Sequence, residues 1–371
     1  MKFSCLSENL SQSLSTVGKA VATRGSLPVL SNVLVATDEG RLKLAATNLE
    51  TSIVTWVGAK IDQEGAVTIP ARLLSDFLGS LPPTQIDGLV NNQILTLTSE
   101  LVHSTFNGLD AAEFPSLPEV KQKPFLEIDA DRLARAISEV VFCAASDEGR
   151  PVLTGIFIHG SGDKLTLAGV DGFRLAERTV RLDKPLEKEF KVVVPARTLQ
   201  EVARLISGSE SPIGVSLLPD ENQIMFKADR ALISSRLLEG EFPDYLKIVP
   251  AQFGTEVVLD REEFQKAVKL ASVFAKDSAS IVRLRIDPDQ NQLEVGASTQ
   301  EVGEGTSRVA AQIEGPPLEI SFNSRYLSDL LSNLKDEQLV FKTSDSLSAG
   351  MLLPKGRANY FHLIMPVRVQ G

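Results

Sequence analysis

The sequence predicts an α+β protein built from three similar domains, each with two helices packed on antiparallel sheets. Three observations predict it. A strand-to-helix unit recurs three times, amphipathic helical stripes occur twice per repeat, and short β-type alternation between turn residues fills most of the rest.

Each copy opens with a short strand, at 1–6, 125–129 and 256–259. A helical stripe follows: Leu10, Leu14, Val17 and Val21; Leu133, Ile137, Val140 and Ala144; Phe264, Val268, Ala271 and Ala275. The second helix grows directly out of a strand. Val67-Thr68-Ile69-Pro70-Ala71-Arg72 heads it in the first copy and Val192-Val193-Val194-Pro195-Ala196-Arg197 in the second. Ile320-Ser321-Phe322-Asn323-Ser324-Arg325 does so in the third. Arg72, Arg197 and Arg325 align, as do Asp76, Glu201 and Asp329. Pro70 and Pro195 fall where a helix starts and a missing N–H costs nothing. The predicted helices are 7–24, 71–81, 131–146, 196–207, 260–277 and 324–336. Alternation predicts strands that include 41–45, 94–99, 164–168 and 292–296. Glu113-Phe114-Pro115 and Glu241-Phe242-Pro243 close the first two copies; the third ends on an extended segment, 360–369. The domains are therefore 1–124, 125–253 and 254–371, and linkers this short hold them fixed relative to one another.

The 371 residues include 38 basic and 48 acidic side chains, a net charge of −10. Taken whole, that speaks against a phosphate-rich partner. The distribution says otherwise. Over the six predicted helices Lys and Arg exceed Asp and Glu by two, which leaves −12 on the rest of the chain. Cys5 and Cys143 make no disulfide framework and read as buried thiols of a reducing compartment. No apolar run reaches bilayer length and the N-terminus has no signal-peptide core, so a soluble cytoplasmic protein is expected, with no membrane partner. His103, His159 and His362 stand alone. No phosphate loop, dinucleotide fingerprint, zinc motif or nucleophile elbow occurs, so no catalytic residue, metal or cofactor is expected. A threefold repeat without chemistry points to a ring or solenoid.

The chain resembles one family throughout: the bacterial sliding clamp, the beta subunit of DNA polymerase III. The resemblance rests on Met1-Lys2-Phe3, Arg24 with Leu27-Pro28-Val29-Leu30, and Pro70-Ala71-Arg72. It rests also on Asp171-Gly172-Phe173-Arg174-Leu175-Ala176, Glu241-Phe242-Pro243-Asp244-Tyr245 and the ending Met365-Pro366-Val367-Arg368-Val369. It implies the DNA clamp fold, a head-to-tail homodimer closed into a ring, with helices lining a hole through which double-stranded DNA passes without base readout. It implies a processivity factor without its own active site. The implied partners are a clamp loader, the replicative polymerase catalytic subunit and other replication and repair proteins.

Residue by residue, Arg24, Arg72 and Arg197 match DNA-facing positions. Arg325 extends the role by repeat, and Lys266, Lys269 and Lys276 by charge. Pro151 and Val152 stand where some relatives carry aromatic DNA contacts. A client-peptide pocket is implied for Leu153, Val170, Gly172, Phe173, Arg174, Leu175, Pro243, Lys247, Ile248, Leu347, Ala349, Leu363, Met365, Pro366, Val367 and Arg368. Its occupant would be a short peptide rich in glutamine, leucine and phenylalanine. Phe173 replaces a polar ring common in the family, and without the resemblance Leu175, Ile248 and Leu363 would be read as core. The dimer interface would use Phe106, Val273 and Phe274, with 299–303 as the facing edge strand. Two other readings compete: a repeat scaffold that binds only proteins, and an enzyme with an unrecognised carboxylate site.

Overall fold

A computed structural model describes residues 1–22, 27–118, 123–147, 149–218, 222–275, 280–299 and 303–368. Six α-helices appear among them, two per repeat: α1 Ser7–Val17, α2 Ala71–Gly79, α3 Ala130–Val140, α4 Ala196–Ile206, α5 Arg261–Ala275 and α6 Ser324–Asn333. Two run shorter than their stripes predict: α1 and α3 tighten into single 3-10 turns, Gly18–Ala20 and Val141–Cys143. Gly18 ends α1 because glycine carries the largest backbone entropy cost. The β-branched pair Val140-Val141 ends α3, where crowding against the preceding turn lowers helix propensity.

The stripes become the core. Leu10, Leu14, Leu133, Ile137, Val140, Phe264, Val268, Leu327, Leu330 and Leu331 are all buried. Each such side chain contributes about 1.5–3 kcal/mol of transfer free energy. The second helices start at equivalent points. Pro70 and Pro195 each end a strand, Ala66–Pro70 and Phe190–Pro195, and the helix begins at the next residue. In the third copy Asn323 does the same work, its side chain accepting the Arg325 N–H at 2.9 Å.

The chain forms two compact units, residues 1–134 with 201–237, and residues 135–200 with 238–371. The first holds a five-stranded and an eight-stranded antiparallel sheet, the second a twelve-stranded one. Sheets continue from one repeat into the next. In the first unit strand Ala231–Arg236 pairs with Thr51–Val57; in the second Tyr360–Ile364 pairs with Arg174–Arg181. Successive repeats therefore share main-chain hydrogen bonds rather than only side-chain contacts, and the middle repeat contributes strands to both units.

In the second unit a buried ion network joins segments far apart in sequence. Glu139 of α3 is 1% exposed. Arg135 Nε lies 2.8 Å, Arg357 Nη1 3.0 Å and Arg178 Nε 3.1 Å from its carboxylate. Asp336, just beyond α6, pairs with Arg135 at 3.0 Å and with Arg357 at 3.3 Å. Three guanidinium groups thus share two carboxylates, a balance that works only while both are present.

Cys5 and Cys143 are both buried and free. Cys143 Sγ lies 3.5 Å from His362 Nδ1. Burial pushes the Cys143 thiol well up, and it pushes the His362 imidazole down to about 3, with the Arg174 charge adding to the effect. The folded imidazole is therefore neutral where the unfolded one, with a pKa near 6.5, takes a proton. The unfolded state binds more protons between these values, so stability falls as pH drops from about 6.5 toward about 3. Between pH 7.5 and 5.5 the wild type should lose about 1.4 kcal/mol more than His362→Gln. Urea unfolding at the two pH values measures this, and parallel losses in both proteins would show that His362 titrates normally.

Candidate functional site

Five of the residues expected to line a pocket gather in one cluster of the second unit. Leu153, Ala168, Val170, Leu175, Tyr245, Ala349 and Leu363 form a continuous buried apolar base, with Val152, Phe157, Phe242 and Met351 packed against it. Large apolar side chains nearby in sequence stay exposed: Phe173 at 61%, Leu347 at 59%, Ile248 at 54% and Met365 at 43%. Leu175 and Leu363 are buried, whereas Ile248 stands at the surface. A buried apolar cluster whose chain neighbours expose large apolar groups is the kind of surface that takes an apolar partner.

Local sequence explains the walls. Pro151–Thr154 is a 3-10 turn in which Thr154 donates to the Pro151 carbonyl at 2.7 Å. This places Val152 and Leu153 on the apolar base. At the Asp171–Arg174 turn, Asp171 Oδ1 accepts the N–H groups of Phe173 and Arg174, both at 2.9 Å. Gly172 has φ +91°, a conformation that favours glycine. The tail is tied on each side of Pro366. Met365 N–H donates to the Phe173 carbonyl and Val367 N–H to the Ser321 carbonyl, both at 2.8 Å. Val367 is half-buried and Arg368 exposed. Asp345 accepts the N–H groups of Leu347 and Ser348 at 2.8 Å, which presents Leu347 outward. Pro243 accepts the Tyr245 N–H, and Lys247 pairs with Asp244 at 3.1 Å while remaining exposed.

Arg174 is not a free cation. Its Nε lies 2.9 Å from Asp171 and its Nη1 2.6 Å from Asp329 of α6, and its side chain is only 10% exposed. Its guanidinium packs 4.5 Å from the Tyr326 ring and 5.6 Å from Phe142. Its work is to hold the turn against α6. Phe173 in turn stacks on Tyr326 at 6.5 Å. Tyr326, Asp329 and Phe142 escape a sequence reading of the pocket. The one signal for Asp329 is its place in the repeat, where it aligns with Asp76 and Glu201.

The cationic candidates lie on helix surfaces. Arg72, Arg197 and Arg325 are each the second residue of a helix and each is exposed, as are Lys266 and Lys269 of α5. Arg72 lies 3.9 Å from Asp76. The aligned acids of the other copies turn elsewhere: Glu201 pairs with Arg204 and Asp329 with Arg174. Arg24 and Lys276 lie outside the described residues.

Of the interface candidates, Phe106 is in strand His103–Asn107, an edge of the five-stranded sheet, but is only 4% exposed because its ring packs 5.1 Å from Phe77. Val273 is 56% exposed, and Phe274 is half-buried against the place a Gly305 side chain would fill. Thr299 pairs with Gly303 at the base of a hairpin, and 300–302 lie outside the described residues. The longer open edge is the stretch 303–310 of strand Gly303–Glu314, since only 311–314 pair with Thr255–Asp260.

No cluster of three or more metal-ligating side chains occurs among the described residues, and no helix among them is long and apolar enough to cross a membrane.

Three models of the DNA polymerase III beta subunit match in order: its N-terminal domain at residues 1–118, its central domain at 127–244 and its C-terminal domain at 246–368. The chain is 34% identical to the beta sliding clamp of Synechococcus elongatus over all of both chains. It is 30% identical to that of Bacillus subtilis over 99% of this chain and all of the relative. It superposes on the crystal structure of the Bacillus subtilis sliding clamp with a TM-score of 0.94 at 28% identity, and on that of Pseudomonas aeruginosa with 0.90 at 30%, each covering both chains in full. The three domain matches and the full-length likeness agree, and the chain belongs to the DNA polymerase III beta subunit family, the sliding clamps.

Proposed function

We propose that this protein is the sliding clamp of a replicative DNA polymerase, a ring that encircles duplex DNA and tethers its clients through the apolar pocket. One observation carries the reading furthest: an exposed arginine at the same helical position in all three repeats, beside exposed lysines of α5. Such cations touch phosphates without reading bases, and a modest number of them lets DNA slip. An acidic remainder discourages DNA from adhering elsewhere.

In this reading the three repeats, 1–124, 125–253 and 254–371, are the domains, and two chains close head to tail. The open edges at His103–Asn107 and 303–310 would pair across the seam, a use for backbone that is otherwise an aggregation hazard. Val273 and Phe274 would pack there, with Phe106 supporting from beneath. Arg24, Arg72, Arg197, Arg325, Lys266, Lys269 and Lys276 would face the duplex. The partners would be the clamp loader, the polymerase catalytic subunit and other replication and repair proteins, in the cytoplasm. The chain would act by tethering, with no reaction of its own.

Loaded on nicked circular DNA, the protein should stay bound in high salt and be lost once that DNA is linearised. Equal retention on both forms would refute encirclement.

A further inference from the structure

The first unit repeats the main-chain frame of the client pocket, and a first cleft of that design would lie over Val29, Leu30, Ala45, Val54 and Phe114. Pro28–Ser31 repeats the Pro151–Thr154 turn, with Ser31 donating to the Pro28 carbonyl at 2.7 Å as Thr154 does to Pro151. Ala22 N–H reaches the Leu30 carbonyl at 3.0 Å, as Ala145 N–H reaches Leu153 at 2.8 Å. Asn48 Oδ1 accepts the N–H groups of Glu50 and Thr51 at 3.0 and 2.7 Å, the bonds that Asp171 makes to Phe173 and Arg174. Leu49, at φ +74°, stands where Gly172 has φ +91°. Arg236 N–H donates to the Glu50 carbonyl at 2.8 Å, the counterpart of Met365 to Phe173.

The registers then fix which side chains correspond. Thr47 pairs with Ser52, and Ser52 with Ser234. In the client pocket Val170 pairs with Leu175, and Leu175 with Leu363. Gln223 pairs with Arg236, the place that Ala349 and Met365 take one residue beyond the Gly350–Ile364 pair. Glu50 corresponds to Phe173. At six positions where the client pocket is apolar, the first cleft is polar. Two of its hydroxyls are already engaged: Ser52 donates to Thr47 Oγ1 at 2.8 Å, and Thr47 to the Thr51 carbonyl at 3.2 Å. Glu50 and Arg236 put charges at its exposed rim.

We infer that each chain carries two clefts of one design, and that Thr47, Glu50, Ser52, Gln223, Ser234 and Arg236 close the first of them to hydrophobic clients. The inference rests on the client-pocket reading proposed above. A leucine or phenylalanine entering the first cleft meets paired hydroxyls and solvated charges, so it strips water from polar groups without replacing their hydrogen bonds. One frame thus yields one client site per chain.

Titration of the full-length protein with a synthetic acetylated pentapeptide, Gln-Leu-Ala-Leu-Phe, tests this by stoichiometry. The wild type should bind one peptide per chain; two would overturn the inference and leave the pocket reading standing, and none would overturn both. Phe173→Glu with Met365→Arg should weaken binding by roughly tenfold or more, since it copies the closed rim onto the open pocket. Unchanged affinity would overturn the inference. The sixfold exchange Thr47→Val, Glu50→Phe, Ser52→Leu, Gln223→Ala, Ser234→Leu and Arg236→Met should create a second site. If that variant does not fold, the exposed pair Glu50→Phe with Arg236→Met should still add a second, weaker site. A folded variant that keeps one site sinks the inference alone.

Discussion

Glu139→Ala should destabilise the second unit by about 3–5 kcal/mol, the cost of leaving buried guanidinium groups without their counter-charge. Its melting transition should drop by roughly 10 °C. Glu139 is 1% exposed, and Arg135, Arg178 and Arg357 all lie within 3.1 Å of it. Among the described residues, its loss leaves Asp336 to face Arg135 and Arg357 and leaves Arg178 no carboxylate at ion-pair distance. Glu139→Gln should recover only part of the loss, because it keeps an acceptor and removes the charge. Replacing Glu139, Arg178 and Arg357 together by leucine and methionine should recover most of it, since apolar replacement of a whole buried network is often neutral or better. Denaturant melts of the three variants decide the matter. A loss below about 1 kcal/mol in Glu139→Ala would mean the network behaves as a solvated surface cluster.

Arg174→Ala should damage the pocket more than any rim substitution. The guanidinium ties the Asp171 turn to Asp329 of α6 and packs against the rings of Tyr326 and Phe142. Its removal strands two carboxylates and frees the turn whose Phe173 carbonyl holds Met365. We expect a loss of about 3–5 kcal/mol in stability and roughly 100-fold weaker client-peptide binding, chiefly in dissociation rate. Arg174→Lys should restore little, because a point charge cannot span two carboxylates and stack on a ring at once. Normal peptide affinity in a folded Arg174→Ala protein would show that the turn needs no such brace.

Much of the architecture was legible because helices and strands write their periods into the chain. The stripe Leu10/Leu14/Val17 and the aligned Arg72, Arg197 and Arg325 follow from local rules. Helix ends were less legible, since what stops α3 at Val140 is crowding that periodicity does not record. The pocket was legible only through resemblance. Leu175 and Leu363 are written like core residues and are buried, while Phe173 and Met365 beside them stay exposed, and on that contrast the proposed pocket rests. Sequence does not say that Arg174, expected among the pocket residues, pairs with Asp329, distant in the chain.

The sequence by itself determined the threefold repeat, the helical faces and where the cations stand, since each depends on residues three or four apart. Tertiary structure alone decided that the middle repeat lends strands to two units, that Glu139 gathers three arginines, and that equivalent strand registers in the two units carry different side chains. Those outcomes depend on strand register between distant segments. Register brings Leu363 opposite Leu175 and Ser234 opposite Ser52, a pairing that no local period encodes.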